Sequence, residues 1–165
     1  MDGTELLSRT ITTIQEMYLK IGDPSGSVSL YYPYSGDFSI IEEGFRKASG
    51  DSFPRMVIEE LPQRIRIIVD EDDCRKISEL PIPETIRDVS KLIKDGADIE
   101  GFRTFVSRKY PEARISESEY IDFDWILLFP ENLDRDVYCI SEELGRLTYH
   151  RFSREEYLAL GFGLP

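Results

Sequence analysis

The side chains best suited to chemistry near neutral pH are one histidine and two cysteines. His150 is the only histidine among the 165 residues, and histidine is the side chain whose ordinary pKa lies closest to neutrality. The segment DVYCISEELGRLTYHRF predicts a β-hairpin that turns near Leu144–Gly145. That register places His150 opposite Cys139 on one sheet face, where an adjacent imidazole can activate a thiolate nucleophile.

The same pair has a structural interpretation. A shift of the hairpin register by one residue would move the two side chains to opposite faces of the sheet. The alternative to a catalytic pair is that His150 is a partly buried structural histidine.

A second candidate site is a pair of carboxylates, Asp122 and Asp124, in the predicted strand YIDFDWILLF. Alternate residues of a strand lie on one face roughly 7 Å apart, and two such carboxylates can hold Mg²⁺ together with substrate phosphates. The alternative is a solvated strand face, because Glu112 to Asp136 contains eight acidic and two basic residues.

Four aromatic or charged residues are candidates for binding a small ligand. In SVSLYYPYSGDFS, Tyr32 joins the apolar alternation of a short strand, whereas Tyr31 points to the opposite face and Tyr34 follows the strand. Tyr149 and Arg151 flank His150. No motif indicates a cofactor: GDPSGS lacks the lysine of a P-loop, and one histidine with two cysteines is too few for a structural zinc site.

The periodicity predicts one α+β domain over residues 1–165. Its sheet is antiparallel or mixed, includes a C-terminal three-strand meander, and is packed by helices. Helices are predicted from residue 4 to 21, from 39 to 48, from 74, and in PETIRDVSKLIKDG, DIEGFRTFVSRKY and SREEYLAL. Gly22 and Gly96 are predicted to follow the ends of two of these helices, and Ser39 with Glu42 and Ser153 with Glu156 are predicted capping boxes. Strands are predicted in SVSLYY, MVIEELPQRIRIIVD, YIDFDWILLF and DVYCISEELGRLTYHRF, with a helical turn as the alternative for the first arm of MVIEELPQRIRIIVD.

The charge favours some partners over others. The net charge is −12, from 32 acidic and 20 basic residues. Such a chain repels nucleic-acid phosphates and anionic membranes, and it favours a protein partner with a basic surface. Two cysteines without a CxxC pair, together with an N-terminus that lacks a signal-peptide pattern, predict a reduced cytoplasmic protein. Nothing in the composition indicates an oligomeric state.

Three segments resemble a small family of uncharacterised prokaryotic proteins, a domain of unknown function. They are TIQEMYLKIG with SVSLYYP, then FDWILLFPE, then VYCISEELGRLTYHRFSREEY. The resemblance implies no activity and no catalytic residue. It implies that Tyr31, Tyr32, Tyr149 and His150 belong to one shared pattern.

These patterns lead to three hypotheses. The first is a non-enzymatic binding or regulatory module of the cytoplasm, including an inhibitor that masks a basic partner. The second is an enzyme that uses His150 with Cys139 or with the Asp122/Asp124 pair. The third is a small-ligand binder that uses the tyrosines near Tyr31 and Tyr34.

Overall fold

The computed structural model describes residues 1–165 as six helices and seven strands, an α+β chain as predicted. The chain divides into two compact units, residues 1–87 and residues 88–165. In chain order the elements are α1 (Gly3–Lys20), β1 (Val28–Pro33), α2 (Phe38–Ser49), β2 (Val57–Leu61), β3 (Arg64–Val69), α3 (Glu71–Ser78), α4 (Glu84–Lys94), α5 (Ile99–Lys109), β4 (Arg114–Glu117), β5 (Trp125–Leu128), β6 (Val137–Glu143), β7 (Arg146–Phe152) and α6 (Arg154–Leu158).

The N-terminal unit contains a three-stranded antiparallel sheet in the order β1-β3-β2. The predicted hairpin in MVIEELPQRIRIIVD is confirmed, and its two-residue loop is Pro62–Gln63. Gln63 has a φ of 59°, which is the left-handed region that residues other than glycine seldom occupy.

One face of this sheet forms the core of the unit. Alternation turns Val28, Leu30 and Tyr32 inward, as predicted, while Tyr31 is 50% exposed on the other face. The inward side chains of β2 and β3 join them, and α1, α2 and α3 supply the rest. The buried members are Leu6, Ile14, Val28, Ile41, Phe45, Phe53, Met56, Ile58, Ile65, Ile67, Val69, Cys74 and Ile77.

The C-terminal unit contains a four-stranded antiparallel sheet in the order β4-β5-β6-β7. The predicted three-strand meander is therefore confirmed as β5-β6-β7, and β4 extends it at one edge. The predicted capping box of α6 is also present: the Ser153 hydroxyl accepts the Glu156 amide, and the Glu156 carboxylate accepts the Ser153 amide.

Two local predictions were wrong. The strand predicted from Ile121 begins only at Trp125, because a turn in which the Phe123 amide donates to the Tyr120 carbonyl precedes it, and Ile121 is 94% exposed. Helix α2 is capped by Asp37 instead of Ser39, since the Asp37 carboxylate accepts the Ser39 amide.

Each face of the C-terminal sheet is covered by apolar side chains. On one face Ile126, Leu128, Val137 and Cys139 pack with Tyr157 of α6 and with side chains of the C-terminal segment. On the other, a chain of ring contacts runs from Tyr110 through Phe129 and Tyr138 to Tyr149. None of the helices is long and apolar enough to span a bilayer.

Candidate functional site

The β6–β7 hairpin brings Cys139 and His150 together in the predicted register. Its loop residues Leu144 and Gly145 both have positive φ, 52° and 78°, as the tight turn of a two-residue hairpin requires. Cys139 and His150 are directly paired across the strands, so their side chains share one sheet face.

The two partners differ in their exposure to solvent. Cys139 is fully buried, whereas His150 is exposed, with its ring centroid 4.6 Å from that of Phe152. Burial raises the pKa of the Cys139 thiol to about 12. A thiolate nucleophile needs the opposite shift, so the geometry of a Cys–His pair is present without the ionisation that its chemistry requires.

Asp122 and Asp124 lie in the β4–β5 loop, where both have local structural contacts. The Asp124 carboxylate accepts the Glu142 amide at 2.8 Å, which ties the loop to the end of β6. A hydrogen bond to the Asp122 carboxylate raises the pKa of Tyr120. No group of three or more histidine, cysteine, aspartate or glutamate side chains gathers with the geometry of a metal site.

Tyr149 and Arg151 make polar contacts inside the C-terminal unit. The Tyr149 hydroxyl lies 2.7 Å from the Ser90 hydroxyl. The Arg151 side chain is 5% exposed and forms an ion pair with Asp136. Both groups are therefore engaged within the fold.

Tyr31 and Tyr34 lie close to Arg64 in the N-terminal unit. The Arg64 guanidinium carbon is 5.1 Å from the centre of the Tyr31 ring, a cation–π contact. The Tyr34 hydroxyl donates to the Asp37 carbonyl at 2.9 Å. This folds its ring over Gly36, where a Cβ would come within 2.7 Å of the hydroxyl oxygen.

Beside these tyrosines lies a groove of about 430 Å³, here called the Tyr34 groove. The loop between β1 and α2 forms one wall, and the β2–β3 hairpin forms the other. It is lined by Tyr34, Ser35, Gly36, Phe38, Glu60, Leu61, Pro62, Gln63 and Arg64.

A second feature, here called the acidic end, was missed as a unit by sequence reasoning. It joins the end of β4, the β4–β5 loop and the end of β6, and it carries Glu117, Glu119, Asp122, Asp124, Glu142 and Glu143. Hydrogen bonds hold these segments together: the Ser118 amide donates to the Asp124 carbonyl, and the Ser141 hydroxyl donates to the Asp122 carbonyl. None of the six carboxylates forms an ion pair.

Two aliphatic side chains flank the acidic end in full contact with solvent. Ile121 is 94% exposed and Leu144 is 104% exposed relative to a reference residue. The only sequence signal was the acidic run from Glu112 to Asp136. The contributions of Glu142, Glu143 and Leu144 depend on β6 pairing with β5.

Comparison with known families identifies the chain. Residues 3–161 match a family model described as a domain of unknown function from an E. rectale gene description, DUF3877. The chain therefore belongs to this prokaryotic family of domains of unknown function, in agreement with the resemblance in its sequence. No curated protein and no solved structure matches it.

Proposed function

We propose that this protein is a non-enzymatic binding module that docks a protein partner with a basic surface through its acidic end. The observation that carries the proposal is the gathering of six carboxylates without ion pairs beside the exposed side chains of Ile121 and Leu144. Lysine and arginine side chains of a partner would supply the missing counter-charges.

Charge and apolar contact would play different parts in this docking. The carboxylates would speed association and select against acidic surfaces, and salt would weaken both effects. Burial of an aliphatic side chain contributes on the order of 1.5–3 kcal/mol, so Ile121 and Leu144 together would contribute about 3–6 kcal/mol to binding.

The position of Leu144 supports a role in binding. A loop residue with φ of 52° favours asparagine or glycine on conformational grounds, and a fully exposed site favours a polar residue. Leucine fits neither preference. A partner that covers the side chain would account for its presence.

The charge supports the same class of partner. With a net charge of −12, we expect neither nucleic acid nor an anionic membrane surface as a partner. We place the module in the reducing cytoplasm, where its two buried thiols stay unpaired.

Each alternative function has one supporting observation. The pairing of Cys139 with His150 favours an enzyme, but the raised thiol pKa speaks against nucleophilic catalysis. The Tyr34 groove favours a small-ligand binder.

The test compares capture of proteins by three variants. A charge variant carries Glu117→Gln, Glu119→Gln and Glu143→Gln, and an apolar variant carries Ile121→Thr and Leu144→Asn. Asp124 is left intact because it holds the end of β6. The matched control neutralises three carboxylates of the N-terminal unit, Glu43→Gln, Asp51→Asn and Glu79→Gln, and so changes the net charge equally.

We expect a captured basic protein to bind the charge variant about tenfold more weakly and the apolar variant at least about a hundredfold more weakly, and to bind the control with unchanged affinity. Affinity for the wild type should fall as the ionic strength rises. Equal losses in the charge variant and the control would mean that only net charge matters. That outcome would refute docking at the acidic end.

A further inference from the structure

Two arginines on the outer face of the N-terminal sheet have different surroundings. Arg64 and Arg66 lie two residues apart on β3, so they point to the same side. Arg66 forms an ion pair with Glu59, and hydrogen bonds to Glu59 and Tyr31 raise its pKa. Arg64 has no carboxylate partner, and its guanidinium lies over the Tyr31 ring.

Arg64 also lines the Tyr34 groove. The cation–π contact with Tyr31 holds its side chain without neutralising the charge. An arginine that is held by an aromatic ring and lacks a counter-ion can still bind an anionic group through its planar set of donors.

The other groove walls combine apolar and polar groups. Phe38, Leu61 and Pro62 offer apolar surface, while Ser35 and Gln63 offer hydrogen-bonding groups. The volume of about 430 Å³ lies within the usual range for small-molecule sites.

Hydrogen bonds hold the two walls together. The Tyr34 amide donates to the Gln63 carbonyl at 3.0 Å, and this bond links the β1–α2 loop to the hairpin. The Tyr34 hydroxyl is fixed on the Asp37 carbonyl. A preformed groove loses little freedom when a ligand binds, which favours affinity.

We propose that the Tyr34 groove binds a small carboxylate with an apolar body, whose anionic end contacts Arg64. The inference rests on the small-ligand alternative above and is independent of the acidic end. Glu60 lines the same groove, and the whole chain has a net charge of −12. Both the Glu60 carboxylate and this net charge repel ligands that carry several negative charges. A monoanion fits this balance better than a nucleoside polyphosphate.

The test is an amide NMR titration of the intact protein with 3-phenylpropionate. Acetate tests the need for an apolar body, and phenyl phosphate tests the choice of anion. Arg64→Gln is the test variant and Arg66→Gln is its matched control, on the same strand and face. Gly36→Ala is a second variant, because its Cβ would displace the Tyr34 ring. Thermal unfolding checks that each variant is folded.

We expect saturable shifts at the residues of the groove with 3-phenylpropionate, and weaker binding of acetate and phenyl phosphate. Arg64→Gln should weaken binding about tenfold or more, as for loss of a hydrogen bond to a charged group, while Arg66→Gln stays within about twofold. Gly36→Ala should also weaken the binding of 3-phenylpropionate. Any of four results would overturn the proposal. These are no saturable shifts at millimolar ligand, shifts outside the groove, equal effects of the two arginine variants, and tighter binding of phenyl phosphate than of 3-phenylpropionate. Capture of a basic protein by the acidic end would be unaffected by any of these outcomes.

Discussion

Cys139 and His150 show how burial decides whether a pair of residues can react. Their cross-strand pairing brings them to one face, yet the thiol lies inside the core while the imidazole lies at its rim. Removing the thiol from water disfavours its charged form. The same cause raises the pKa of Cys74 to about 11, so neither cysteine is prepared for nucleophilic attack.

We predict that both thiols resist labelling in the folded protein. With 5,5′-dithiobis(2-nitrobenzoate) between about pH 8 and about pH 10, native protein should react only as fast as it unfolds, because an ordinary thiol ionises in this range and these do not. Protein in concentrated urea should release two equivalents at once. Rapid release of one equivalent of thionitrobenzoate from the native protein would identify a reactive thiol and support the enzyme hypothesis.

The raised pKa values of the Cys74 and Cys139 thiols determine how the stability of the protein depends on pH. The unfolded chain releases these protons near pH 9, whereas folded Cys139 holds its proton to about 12. The folded state therefore binds more protons above about pH 9. The free energy of unfolding should fall as the pH rises through that range.

The packing of α1 against α2 depends on a glycine near the start of the first helix. A Cβ on Gly3 would come within 2.1 Å of the Phe45 amide nitrogen and 2.2 Å of the Gly44 carbonyl carbon. Only hydrogen fits between the two backbones there. Since both contacts are with backbone atoms, no side-chain rotation can relieve the overlap.

We therefore predict that Gly3→Ala lowers the free energy of unfolding by roughly 1–3 kcal/mol or more, because α1 must shift away from α2. Gly26→Ala is the control, since a Cβ there meets no atom within 4 Å, and it should change stability by less than about 0.5 kcal/mol. Urea denaturation measures both. Equal stabilities of the two variants would show that the helices separate at little cost.

The whole chain contains two compact units, each with its own sheet and apolar core. The prediction of one domain over residues 1–165 concerns whether these units unfold together. The chain carries a natural reporter in each: Trp125, the only tryptophan, lies in the C-terminal unit, and buried Cys74 lies in the N-terminal unit.

We predict a single cooperative transition in urea. Trp125 fluorescence and the protection of Cys74 from labelling, measured in a Cys139→Ser background, should share one midpoint, as two-state unfolding requires. The serine variant is first compared with the wild type by circular dichroism to confirm that it folds. Two separated midpoints would show that the units are independent domains.

Much of the fold could be predicted from the sequence because it depends on neighbouring residues. Periodicity predicted α1, α4 and α5, and Gly22 and Gly96 follow the ends of helices with positive φ as expected. Alternation predicted the inward face of β1. The turn at Leu144–Gly145 fixed the β6–β7 register, because a two-residue loop leaves only one pairing.

The candidate sites could be predicted only in part. Tyr31 and Tyr34 were recognised, but their common neighbour Arg64 follows them by some thirty positions in the chain, and only the β1–β3 pairing brings it to them. Apolar alternation in YIDFDWILLF predicts that Ile121 lies on the apolar side of a strand, together with Phe123 and Trp125. Its exposure results from a turn that the pattern did not indicate.

The amino-acid sequence by itself thus determined the fold class, most helices and strands, the hairpin register and the overall charge. Tertiary structure alone decided that Cys139 is buried beside an exposed His150, that six carboxylates gather at one end of a sheet, and that Gly3 touches α2. Local conformation follows from residues that are adjacent in the chain. Burial and charge clustering depend on segments that meet only after long loops close, and no local pattern records which segments will meet.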